Sequence, residues 1–201
     1  MPTKKPKDKI LEIGADLIHR KGFNNTGLQE ILRAAQVPKG SFYNYFRNKE
    51  DFGLQVIDFF IRHFASIAED ILENPASTPL VRIKNILDFF IEYFESENFS
   101  RGCPIGNLSQ EMGDLSPAFR NALKKAIDCM VEAYAKILVE AKIAGEIPDN
   151  LNVQETAYFI VTGWHGALLH MKIVKNVTPL ENHKKYVFEY LQRPEKADQG
   201  N

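Results

Sequence analysis

An all-α fold of about nine helices is predicted by three features of the chain. Apolar residues recur at helical spacing almost throughout, strand-like alternation is absent, and the periodic runs are punctuated by Gly, Pro, Asn or Ser. Ile10, Leu11, Ile13, Gly14, Leu17 and Ile18 form the apolar face of a first helix that ends near Lys21-Gly22. The run from Thr26 to Asp51, TGLQEILRAAQVPKGSFYNYFRNKED, then reads as two short helices joined by a tight turn. Thr26 and Gln29 have the spacing of a capping box. Leu28, Ile31, Leu32 and Ala35 make one stripe, broken by Gln36-Val37-Pro38. Pro38 opens a second helix from Lys39 to Phe46, with Phe42 and Phe46 sharing the core face.

Asn48 caps a fourth helix that starts at Lys49, carries Phe52, Val56, Phe59, Phe60, Phe64, Ile67 and Ile71, and stops before Asn74-Pro75. Further helices are expected from Leu80 to Glu97, Pro104 to Met112, Ser116 to Ala144, Val153 to Val174 and Pro179 to Leu191. The chain thus divides into a head (1–50), a body (51–193) and a flexible polar tail (194–201) without apolar anchors.

Charge separates the head from the rest. Residues 1–50 hold ten Lys/Arg against five acids, a net charge of +5, and the remaining chain is net −6. The overall −1 conceals an end suited to a polyanion. The short helix after Pro38 offers Lys39, Gly40, Ser41, Tyr43, Asn44 and Tyr45 on its outward side, with donors, planar rings and a backbone open to close approach. Helix N-termini and such side chains suit phosphates and major-groove base edges, so the head reads as a module for double-stranded DNA.

The segment Leu28 to Asp51 resembles the DNA-binding region of the tetracycline-repressor (TetR) family of bacterial transcription regulators, with VPKGSFYNYFRNKED following an IxxAA helix. The resemblance implies that Lys39 and Gly40 open a recognition helix, and that Ser41, Tyr43, Asn44 and Tyr45 face DNA. It further implies that Lys49 clamps a phosphate; Thr26, at the start of the preceding helix, is counted with these DNA contacts. Gln36 stands where the family often has glycine, and in a left-handed conformation it would cost roughly 1–2 kcal/mol. Asn44 stands where histidine is common, and asparagine can bond adenine in a bidentate way. The resemblance also implies a body that binds an inducer and a homodimer formed through its last two long helices. Ala157, Gly163, Gly166 and Ala167, with Tyr186, Val187, Tyr190 and Leu191, are the candidates for that interface, although small residues serve packing within one subunit equally well.

Two readings of the body's stimulus stand side by side. In SRGCPIGNLSQEMGDLSPAF, Cys103 precedes Pro104 at a helix start, where the helix dipole and Arg101 would lower its thiol pKa. GCPIGNLSQE together with GWHGALLHMKI resembles a TetR subgroup in which some members sense electrophiles or oxidants through this cysteine. Lys172 is the matching position of the lysine that accompanies it. Cysteine is equally a small buried hydrophobe, the reading taken for Cys129 beside Ile127 and Met130. The other stimulus is an apolar small molecule in a pocket lined by Phe90, Tyr93, Tyr134 and Trp164, with Asn107 and His165 orienting a polar end.

Several classes are disfavoured. His165 and His170 are five apart and point to different helix sectors, so no metal is expected, and no cofactor motif is present. A small helical enzyme with Cys103 as nucleophile and a histidine base would leave the head unexplained. A membrane-surface role conflicts with Glu12 and Asp16 on the first helix. Two cysteines make no disulfide framework, no span is long enough to cross a bilayer, and MPTKKPKDK lacks the apolar segment of a signal peptide, so the cytoplasm is the expected location.

Overall fold

The computed structural model describes residues 5–193. Among these the chain forms nine α-helices and no strand: α1 (Pro6–Lys21), α2 (Leu28–Ala35), α3 (Lys39–Tyr43), α4 (Lys49–Leu72), α5 (Pro79–Ser96), α6 (Pro104–Met112), α7 (Pro117–Ile143), α8 (Val153–Val174) and α9 (Thr178–Leu191). The expected tail at 194–201 lies outside the described residues.

The chain packs as two compact units, Met1–Ala65 with Cys103–Ala126, and Ser66–Gly102 with Ile127–Asn201. The expected division at residue 50 follows function along the chain. The division by packing differs, because α6 and the first turns of α7 are built into the unit that contains the head.

In the first unit, α1 crosses α4 at a glycine. A methyl group at Gly14 would collide with the Phe52 ring, so a bare backbone lets the helices meet. Around this crossing Ile10, Ile18, Ile31, Phe42, Phe46 and Phe52 are buried. Gly53 plays the same part on the next face of α4, with the rings of Phe23 and Phe119 each 2.5 Å from where a Cβ would stand.

Local chemistry explains most helix ends. Asn48 accepts from the Asp51 amide at 2.8 Å, the expected cap of α4. Gln36 adopts the left-handed conformation (φ 53°, ψ 44°) at the end of α2, the position at which helices commonly carry glycine. Asn152 caps α8 by accepting from the amides of Gln154 and Glu155. Two expectations fail. Thr26 caps nothing: Gly27 precedes α2, and the buried Thr26 hydroxyl donates to the Gly22 carbonyl at 2.7 Å. The local bond back to the first helix's end wins over the capping box. Helix α3 also stops at Tyr43 rather than Phe46, because the amides of Tyr45 and Phe46 both turn back to the Phe42 carbonyl. That tight turn brings the Phe42 and Phe46 rings to 4.9 Å.

In the second unit, one core joins Leu72 at the end of α4 to Ile83, Leu87, Leu138, Ile160 and Val187 from α5, α7, α8 and α9. Arg82 is buried within it, donates to the Leu72 carbonyl at 2.8 Å and pairs with Glu140. Cys129 is exposed rather than core. Its helical neighbours Lys125 and Glu132 are exposed too, which puts it on the solvent side of α7. Val187 and Leu191, expected at an interface between subunits, are buried in this core, as is Ala157. Gly163 likewise serves the subunit's own packing, since His183 of α9 would stand 2.6 Å from its Cβ.

Candidate nucleic-acid interface

The residues of α3 and of the turn after it separate into a buried and an exposed side. Phe42 and Phe46 are buried to 0% and 1% exposure, whereas Tyr43 keeps 55% and Tyr45 36%. Lys39, Gly40 and Asn44 are exposed and Ser41 is half-buried. Gly40 has nothing within 4 Å of where a Cβ would lie, so another chain can come against its backbone. Helices α2 and α3 with the Gln36 turn form a helix-turn-helix, and the second helix together with the turn after it presents two aromatic rings, an amide and a lysine to solvent. Arg47 flanks this face, held by the Asp51 carboxylate at 3.2 Å, and the same carboxylate accepts from the Arg47 amide at 2.9 Å. The Arg47 amide first, and then its guanidinium, hold the Asp51 carboxyl below its ordinary range, against burial, which raises it.

Thr26 and Lys49 do not join that face. The Thr26 side chain is fully buried. Lys49 turns inward: its ammonium donates to the Phe23 carbonyl at 2.7 Å and sits 4.5 Å from the centre of the Phe23 ring. Burial lowers the Lys49 pKa, with the Glu111 charge acting the other way. Glu111 is a residue of this unit that the sequence did not single out. Its carboxylate accepts from the amides of Phe23 and Asn24, each at 2.7 Å.

Cys103 occupies the N-cap of α6, as its place before Pro104 predicts. The thiol pKa, however, is raised instead of lowered. Burial is the dominant cause and outweighs the amides of Gly106 and Ile105, which favour the thiolate. Arg101, expected to help, is paired with Glu97 at 3.1 Å. Asn107 is half-buried in the same unit as Cys103.

The remaining candidates belong to the second unit. Phe90, Tyr134 and Trp164 are partly buried and pack against its core, and Tyr93 stacks edge-on against Phe94. Burial drives the Tyr134 phenol far above its ordinary range and lowers His165. Lys172 is half-buried and its pKa is lowered, by burial first and then by the Lys175 charge. Among the described residues no cluster of three or more His, Cys, Asp or Glu could hold a metal ion, and no helix is long and apolar enough to cross a membrane.

A helix-turn-helix head followed by a helical body defines a DNA-binding transcriptional regulator. Comparison with known proteins agrees. Residues 10–56 match the bacterial regulatory proteins of the tetR family, and residues 79–187 match the tetracyclin repressor-like C-terminal domain. The transcriptional regulator AcuR of Cereibacter sphaeroides is 36% identical over 86% of this chain and 79% of its own. The HTH-type transcriptional repressor DhaR of Mycobacterium sp. is 34% identical over 92% of this chain and 91% of its own. Among solved structures, a regulatory protein TetR from Rhodobacter sphaeroides superposes with a TM-score of 0.86 at 34% identity, covering 91% of this chain and 97% of that one. The reduced form of Escherichia coli NemR gives 0.86 at 27% identity, covering 94% and 100%. The chain belongs to the TetR family, and it is a regulator of transcription rather than an enzyme.

Proposed function

We propose that this chain is a homodimeric repressor that holds a palindromic operator through α3 and releases it when the body meets an inducer. The observation that carries the reading is the division of α3 and the turn after it, where Phe42 and Phe46 are sealed in the core while Lys39, Tyr43, Asn44 and Tyr45 stand in solvent. In this reading Lys39 and Gly40 take phosphate, and Asn44 reads a base. A stripe on α8 of Tyr158, Thr162, Gly166, Leu169 and Ile173 meets its symmetry mate. Tyr158, Leu169 and Ile173 are exposed in the single chain, and Gly166 has open space where a Cβ would lie. An isologous dimer then reads two half-sites one helical turn apart.

The inducer is a small molecule with an apolar body. The supporting observation is the desolvated Tyr134 beside a core that also carries Phe90 and Trp164, an apolar setting with a polar hydroxyl in it. A second reading makes the cysteine-containing GCPIGNLSQE segment a thiol sensor, with Cys103 as its reactive residue. It is supported by the N-cap position of Cys103 and by the likeness to a protein crystallised in a reduced form. The raised thiol pKa means that such a sensor would react slowly until α6 moves.

Fluorescence anisotropy on the DNA upstream of the gene tests both. Tight binding that is lost reversibly on adding methylglyoxal, and kept in Cys103→Ser, establishes the thiol sensor. Tight binding indifferent to methylglyoxal but released by an apolar compound establishes the pocket. Asn44→Ala is expected to change base preference, and Lys39→Ala to weaken all duplexes alike and flatten the salt dependence by about one phosphate. If Asn44→Ala weakens every duplex equally, Asn44 does not read bases.

A further inference from the structure

The turn between α1 and α2 is held from outside the head. At its centre, Phe23 is engaged at every polar atom and at its ring. Its amide donates to Glu111 Oε2 and the next amide, Asn24, to Glu111 Oε1, both at 2.7 Å. Its carbonyl accepts from Lys49 Nζ at 2.7 Å, and its ring lies 4.9 Å from that of Phe119. An anion therefore sits at the N–H side of this peptide segment and a cation at its C=O side, each aligned with the backbone dipoles, and such charge-assisted bonds are about twice as strong as neutral ones. Gly22 completes the fit. It has φ +87°, which L side chains rarely adopt, and a Cβ there would stand 2.9 Å from Glu111 Oε2. The side-chain amide of Asn24 also reaches Met112 Sδ at 3.5 Å, so the last turn of α6 grips the turn at a further point. One helical turn on from this grip, the Ser116 hydroxyl donates to Glu50 Oε1 at 2.6 Å and ties the start of α7 to the start of α4.

From this geometry we infer that Glu111 is a positioning residue for operator binding: through the Phe23 and Asn24 amides, α6 sets the pose of the α1–α2 turn, and with it the seat on which α2 and α3 rest. The inference rests on the DNA-binding reading. It assigns Lys49 to the same device, with its ammonium spent on the Phe23 carbonyl. Regulation follows, because Cys103 caps the start of α6 and Glu111 stands in its last turn, so a stimulus that shifts or frays this nine-residue helix withdraws the carboxylate from the turn.

The sign of one substitution separates this role from plain electrostatics. Removing an acid from a DNA-binding unit reduces repulsion of the phosphates and should tighten binding. The positioning role demands the reverse. The full-length protein first selects a duplex from a random library, and affinities are then measured for that duplex and for an unrelated one. Glu111→Gln keeps one acceptor oxygen and Glu111→Ala none, so affinity for the selected duplex is expected to fall in the order parent, Gln, Ala. The Ala variant should lose roughly tenfold, within the usual range of coupling between sites. Binding to the unrelated duplex stays the same or tightens. Hydrogen exchange at the Phe23 and Asn24 amides, read without DNA, rises in the same order. Unchanged or tighter binding to the selected duplex in both variants overturns the inference, and so does unchanged amide exchange. Should Glu111→Ala fail to fold, the Gln variant and its exchange rates decide. If the parent selects no duplex, the DNA-binding reading fails, while the exchange rates still report whether Glu111 holds the turn.

Discussion

The exposed faces of the head and the body differ in what they lack. The head shows solvent a lysine, an asparagine and two tyrosines on α3 and the turn after it, all of which carry polar groups that water satisfies. The body shows Ile173 at 72% exposure on α8, with Phe159 and Leu169 of the same helix also exposed. Water serves these poorly, and an apolar surface of this kind marks an association face. The head can therefore wait for its partner in solution, whereas α8 carries apolar side chains that an apolar surface would suit better than water.

The sharpest way to break this comparison is to strike both sides of α3. Phe42→Ala, which empties a fully buried site, is expected to cost about 3–5 kcal/mol of stability by thermal or denaturant melting. Tyr43→Ala, one residue on, should cost under about 0.5 kcal/mol and yet abolish most DNA affinity in an anisotropy titration. A stable Phe42→Ala protein would mean that α3 does not lean on the core as described. Next in size, Ile173→Glu places a charge in the exposed α8 stripe. Sedimentation velocity is expected to move from dimer to monomer with an unchanged far-UV circular dichroism spectrum. A persistent dimer would relocate the interface away from α8.

A smaller effect concerns pH. Burial lowers the pKa of both His165 and His183 below the ordinary 6.5, with the Ile160 backbone opposing it for His183, whose Nε2 is buried without a hydrogen-bond partner. Protons then bind the unfolded chain more readily than the folded one as pH falls through 6.5. Stability should be level above neutrality and decline below about 6.5, continuing down to the folded pKa values. Melting temperatures at pH 7.5 and 5.5 check this, and His183→Gln should remove part of the decline; a flat profile would mean that these rings are solvated. The smallest effect is chemical. Brief treatment with iodoacetamide should label exposed Cys129 ahead of Cys103, read by peptide mass spectrometry, without altering the melt.

Much of this architecture was legible because helix ends are written locally. Pro104 with Gly113, and Asn152 with Lys175, bracket α6 and α8, and both helices run where punctuation and periodicity put them. Gln36 adopts the left-handed turn that its place between α2 and Pro38 demands. Reading failed where a local signal had two uses. Thr26 and Gln29 have capping-box spacing, but the same hydroxyl can reach back four residues to Gly22, and it does. For Cys129 sequence adjacency misleads: Ile127 and Met130 flank it along the chain, whereas Lys125 and Glu132 share its helix face. Glu111 left no trace at all, because its partners lie 88 and 87 residues away and are backbone amides, which any sequence supplies.

The seat of the first turn also bears on how such regulators exchange parts. A head cut out at residue 50 would lose Glu111, Ser116 and Phe119, leaving two amides unanswered, Glu50 without its hydroxyl and the Phe23 ring without its aromatic neighbour. A chimera that grafts this head onto a foreign body keeps these contacts only if residues 103–126 travel with it. The unit of inheritance is discontinuous, and recombination at the obvious seam would separate what the fold has joined.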